Sequence, residues 1–108
     1  MNLKQAIKII DELAEEATLF AERLDGEFHP DSEVVLVKID ENELKRPVKE
    51  IAHEKAPGKE YFLEVFIIKE ILEGWSGNHS GETPSITAAL ESVIYYAEND
   101  AYPESFFG

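Results

Sequence analysis

The sequence contains no cysteine. Nothing in it therefore calls for an oxidising compartment, a disulfide framework or a thiolate metal site. Cations are scarce too: ten Lys and Arg face 23 Asp and Glu, for a formal net charge of −13. A surface that binds nucleic acid or anionic lipid needs clustered Lys and Arg, so neither a nucleic-acid nor a membrane partner is expected. No apolar run approaches the roughly 20 residues that span a bilayer. Met1 to Lys8 leads straight into an acid-rich amphipathic pattern rather than the continuous apolar stretch of a signal peptide. A cytoplasmic location is the expectation.

What is present is enough apolar material for one core. At 108 residues and 44 % hydrophobic content the chain is expected to form a single globular domain over residues 1–108, and this content sets it apart from disordered chains of similar charge. The charge is unevenly spread. Residues 1–33 carry three basic and nine acidic side chains, residues 34–60 six of each, and residues 61–108 eight acids against Lys69 alone. The middle is neutral and both ends are acidic, a field that steers basic partners.

From Leu3, apolar residues recur at Ala6, Ile7, Ile10, Leu13, Ala14, Ala17, Phe20 and Leu24. This spacing predicts an amphipathic helix of about six turns that stops at Gly26. Glu27 to Ser32 reads as a loop around Pro30, and the β-branched run Val34 to Ile39 as a short strand or hairpin. The strand needs a partner for its backbone, either near Phe28 or in the C-terminal Ser-Phe-Phe. Pro47 opens a short helix to about His53. Tyr61 to Trp75, fifteen residues without a breaker, predicts a central helix contacted on several sides. Thr83 and Pro84 open a last helix that packs through Ile86, Ala89, Leu90, Val93, Ile94 and Ala97 and ends before Pro103. The fold class expected is mainly α with a minor β element (α+β): about four helices round the helix 61–75, with one strand near 34–39.

Motifs for chemistry are weak. Gly74 to Gly81 has the glycines of a phosphate loop but follows a helix and lacks cations. His29, His53 and His79 lack metal-ligand spacing, and Asp40, Glu41 and Glu43 lack the EF-hand pattern, so neither metal nor cofactor is expected. Ser76, Ser80, His79 and Asp100 form a trio of types that chance also supplies, without a nucleophile elbow. The expectation is a protein that is not an enzyme, with a small enzyme based on His79 as the least favoured alternative.

Two carboxylates break the helical pattern. Glu64 projects between Ile68, Ile71 and Trp75, and Asp100 falls near Val93 and Tyr96; each needs an internal partner or a covering molecule. Tyr95 projects with Glu91, Glu98 and Asn99 on the polar side, where a tyrosine offers contact area at low entropy cost. With Tyr102 close by and Trp75 and His79 adjacent, these residues make the expected partner-binding surface: Trp75, His79, Glu91, Tyr95, Glu98, Asp100 and Tyr102. The segment 61–102, through Phe62-Leu-Glu-Val, Lys69-Glu, Gly74-Trp-Ser and Ile94-Tyr-Tyr-Ala-Glu-Asn-Asp-Ala-Tyr102, resembles an uncharacterised small bacterial domain family, and the resemblance implies no activity.

The expected function is that of a small acidic stoichiometric binding protein, most concretely an immunity- or antitoxin-like inhibitor docking on a basic partner such as a nuclease toxin. The alternative is a non-catalytic accessory or oligomerising subunit.

Overall fold

Ala17–Ala21 forms strand β1, and all five of its residues are buried. The computed structural model describes residues Met1–Gly108 and shows how such a strand is accommodated. Its backbone groups need a neighbour on each edge and its side chains need cover on each face. Val34–Lys38 (β2) and Glu60–Glu64 (β3) are the edge neighbours, both antiparallel, in the order β2-β1-β3.

Helices cover the two faces. Leu19 pairs with Leu36 and Leu63, and this side of the sheet meets α1 (Leu3–Lys8), α3 (Val65–Asn78) and α4 (Ile86–Asn99) in the larger core. Leu3, Ile7, Ile68, Ile71 and Val93 fill that core together with Leu19. Phe20 alternates to the opposite face, where Val37 joins Ile51, Ala52 and Ala56 from α2 (Val48–Lys55) and its C-cap. The central strand is therefore sandwiched, with three helices on one side and one on the other.

A β-bulge in β3 decides which side chains reach which face. Leu19 opposes Leu63 while Phe20 opposes Tyr61, so Phe62 is the extra residue. Phe62 and Leu63, adjacent in sequence, consequently both enter the larger core. Tyr61 and Glu64 are thereby brought together, and the Tyr61 hydroxyl donates to Glu64 Oε2 at 2.6 Å.

The ends of the elements follow local chemistry. Asn2 and Gln5 form a reciprocal capping box that starts α1. The Ser85 side chain accepts from the Ala88 amide to start α4, and Asp100 ends it in the left-handed conformation at φ 53°. A 3-10 turn at Glu104–Phe107 then lays Phe106 against Gly74 of α3, where a Cβ would sit 2.8 Å from the ring.

The mainly α fold with four helices round helix 61–75 is corrected on three points. The six-turn helix from Leu3 is only α1, followed by a 3-10 turn at Ile10–Glu12 and then by β1. The apolar spacing continued through Ala17 and Phe20, but the sheet on both edges of β1 satisfies more of its burial than a helix face would. The segment Tyr61 to Trp75 is likewise split, its first residues in β3 and the rest in α3. The β part is a three-stranded antiparallel sheet rather than one strand near 34–39, and the partner of β2 is β1 rather than Phe28 or the C-terminal residues. The α4 start also moves, from Thr83 and Pro84 to Ser85 and Ile86.

Ser92 of α4 is fully buried, and its Oγ has no hydrogen-bond partner. A buried unpaired hydroxyl carries an uncompensated desolvation cost. Ser92→Ala is expected to raise stability by about 0.5–2 kcal/mol, read as a shift of the urea midpoint at unchanged slope.

Candidate partner-binding site

Ile86, Leu90 and Ile94 recur every four residues along α4 and line an open groove of about 740 Å³. Tyr95 lines it from the adjoining polar side of the helix, and Phe28 and Pro30 from the loop after β1 form the opposite wall. Phe28 is held there by the core, meeting Phe62 edge to face at 4.9 Å between ring centroids. Glu27, Glu91 and Glu98 add carboxylates to the apolar lining, and Lys4 is its one lysine. The volume lies within the roughly 300–1,000 Å³ of small-ligand sites, while the open shape suits a protein side chain or segment.

Arg23 borders this groove and shows the chemistry of two of its lining residues, Phe28 and Glu98. Its guanidinium lies 4.1 Å from the Phe28 ring centroid. Its Nη1 donates to Glu98 Oε1 at 2.9 Å, and its Nε donates to Glu60 Oε2 at 2.9 Å. Partial desolvation works against its charge, but hydrogen bonds and the fields of Glu98 and Glu60 prevail and hold Arg23 more firmly protonated than a free arginine. Two lining residues, an aromatic ring and a carboxylate, thus already hold a guanidinium at the edge of the groove.

Of the residues singled out in the sequence, Glu91, Tyr95 and Glu98 come together in this groove. Glu91 accepts a hydrogen bond from Ser105 Oγ, tying the C-terminal turn to the groove edge. Tyr95 is exposed, and its carbonyl accepts from Asn99 Nδ2 at 3.1 Å.

The others lie elsewhere. Trp75 is buried, His79 stacks on it at 3.7 Å between centroids, and His79 Nδ1 sits 2.7 Å from the Trp75 carbonyl oxygen. Tyr102 stacks on Phe106 at 3.9 Å and lies 5.2 Å from Tyr96. Burial, with Tyr96 and Glu70 behind it, raises the Tyr102 pKa above the ordinary phenol value. Asp100 is exposed at the α4 C-cap, away from the apolar face on which a continuing helix would place it. Glu64 lies at the end of β3, and the internal partner it needs is the Tyr61 hydroxyl.

Arg23, Glu27 and Phe28 were not singled out in the sequence. One signal for Arg23 was present: it is one of three cations among nine acids in residues 1–33, which favours a paired role. Nothing local marks Phe28 as a groove wall, because that position depends on the bulge that brings Phe62 beneath it.

The Tyr61–Glu64 pair has a pH signature. Burial first, then the hydrogen bond and charge of Glu64, push the Tyr61 pKa well above the phenol range. The native state therefore keeps a proton that the unfolded chain releases near pH 10. Stability from this pair is complete below about pH 10 and falls as pH rises beyond it. Tyr61→Phe is expected to flatten that alkaline loss and to remove the latest part of the tyrosinate absorbance titration.

Residues 1–104 match DUF7716, a domain of unknown function, and the chain belongs to that family. No curated protein and no solved structure matches the chain. No helix is long and apolar enough to cross a membrane.

Proposed function

We propose that this chain is a small acidic binding protein acting by stoichiometric occupancy, with the α4 groove as the seat for a basic protein partner. Its most concrete form is an immunity- or antitoxin-like inhibitor in the bacterial cytoplasm, which docks on the basic cleft of a nuclease toxin and shuts out the nucleic acid. The observation that carries the reading is the Arg23 arrangement: beside the groove a guanidinium already rests on Phe28 and pairs with Glu98, two of the residues that line it. A partner arginine or lysine would meet the same chemistry along Glu27 and Glu91, with Tyr95 and the Ile86–Leu90–Ile94 face supplying apolar contact. The acidic field of the whole chain would raise the encounter rate by about 10 to 10³, in a manner that salt weakens.

The test is capture from the native cell with the wild type and with Glu91→Lys/Tyr95→Ala, both at exposed positions. The wild type is expected to retain a basic protein at 1:1, with binding weakened by salt and lost in the variant. For the inhibitor form, the captured protein has nuclease activity that equimolar chain abolishes. Retention of the same partner by the variant, or a partner that is acidic, removes the groove from the function.

A further inference from the structure

We propose that the chain forms a two-fold homodimer through the face built by the 3-10 turn Glu43–Lys45, α2, β3 and the first turn of α3. Four of its exposed large apolar side chains gather there: Leu44 at 67 % exposure, Val48 at 49 %, Phe66 at 45 % and Tyr61 at 36 %. Monomeric surfaces tolerate single apolar residues, but a cluster drawn from several elements marks an interaction site.

Val48 and Tyr61 form a ridge shared by two depressions of opposite charge. On one flank a groove carries Glu15, Glu16 and Glu64, and its one cation, Arg46, is paired with Glu54 at 2.7 Å. On the other flank a hollow carries Lys49, His53 and Lys59, and its one anion, Glu60, is paired with Arg23 at 2.9 Å. Lys49 and Lys59 have no ion-pair partner. Glu15 and Glu16 are exposed, and their ion pairs, with Lys69 and Lys38, are long at 3.5 Å each.

The charge pattern identifies the occupant. Two copies of a chain of net charge −13 repel each other over most of their surface, and least where residues 34–60 balance six cations with six anions. In an isologous interface, a two-fold axis running along the ridge sets ridge against ridge and each acidic flank against the other copy's basic flank. A partner of one sign would match one flank and oppose the other, which favours a second copy of this chain. The α4 groove shares no lining residue with either depression and stays open on both copies.

Light scattering or sedimentation of the purified chain over a range of micromolar concentrations is expected to show twice the 12.2 kDa chain mass. Lys49→Glu/Lys59→Glu and Glu15→Lys/Glu16→Lys are each expected to sediment as monomers with an unchanged circular dichroism spectrum. Mixed together, the two variants have complementary flanks and are expected to restore the doubled mass. A wild type that stays monomeric throughout overturns the proposal, as does a dimer that either charge reversal leaves intact. If one variant fails to fold, the folded variant's mass with and without added salt decides the matter: a dimer at low salt overturns the charge-paired interface.

Discussion

Phe62→Ala is expected to lower the unfolding free energy by about 3–5 kcal/mol, a large part of the roughly 5–15 kcal/mol that a domain of this kind commands. Phe62 is almost wholly buried in the larger core and meets Phe28 edge to face. It enters that core only because the β3 bulge lets two consecutive residues, Phe62 and Leu63, face the same way. Removing the ring opens a cavity beneath the sheet and takes away a packing partner of Phe28, the ring over which Arg23 lies. The loss is expected to appear in urea unfolding followed by circular dichroism and by Trp75 fluorescence, with both probes moving together. Phe62→Leu, which keeps the site apolar and leaves a smaller void, is expected to cost less than half as much. A change in Phe62→Ala within 1 kcal/mol, the order expected of an exposed position, would sink this placement of the bulge.

The same bulge marks the limit of what the sequence made legible. Strand recognition rests on alternation, and Tyr61-Phe-Leu-Glu breaks alternation by placing two apolar residues side by side. Read without the partner strand, these residues continue smoothly into the helical pattern of Val65, Ile68, Ile71 and Trp75, which is correct from Val65 onward. β1 was hidden for a different reason: a strand buried on both faces shows no polar alternation, and Ala17-Thr-Leu-Phe-Ala happened to keep the helical spacing begun at Leu3. By contrast β2, α2 and α4 were legible because each carries its own boundary signals, polar residues or proline at the ends. In the candidate groove, Glu91, Tyr95 and Glu98 were legible because they share one face of one helix. Arg23 and Phe28 lie far away in the chain, and only the tertiary fold sets them opposite α4. Glu64 was recognised as a carboxylate in need of a partner, and Tyr61, three residues earlier, is that partner; an i, i+3 pair is adjacent on a helix too, so the spacing alone could have indicated it.

Phe20→Ala is expected to cost a comparable amount, about 3–5 kcal/mol, but to distribute it differently. Phe20 is fully buried on the other face of β1, in the smaller core with Val37, Ile51, Ala52 and Ala56. It is the largest side chain of that core, and no other buried aromatic ring replaces it there. α2 has only eight residues, fewer than the roughly 12–15 at which an isolated helix becomes marginal, so packing rather than propensity holds it in shape. Without the Phe20 ring, undocking of α2 becomes less costly than opening the sheet, and the helix is expected to exchange as a separate unit. Native-state hydrogen exchange should then show loss of protection at the Ile51 and Ala56 amides, which donate to the Pro47 and Ala52 carbonyls, while the β1–β2 ladder keeps more of its protection. Phe62→Ala, acting in the core that joins the sheet to α1, α3 and α4, should lower protection across both regions. Since Val48 and Lys49 belong to α2, the Phe20→Ala chain is also expected to lose the doubled mass proposed for the wild type while its α4 groove stays formed. Equal loss of protection in α2 and in the β1–β2 ladder would show instead that the two cores unfold as one, and that α2 has no stability of its own to lose.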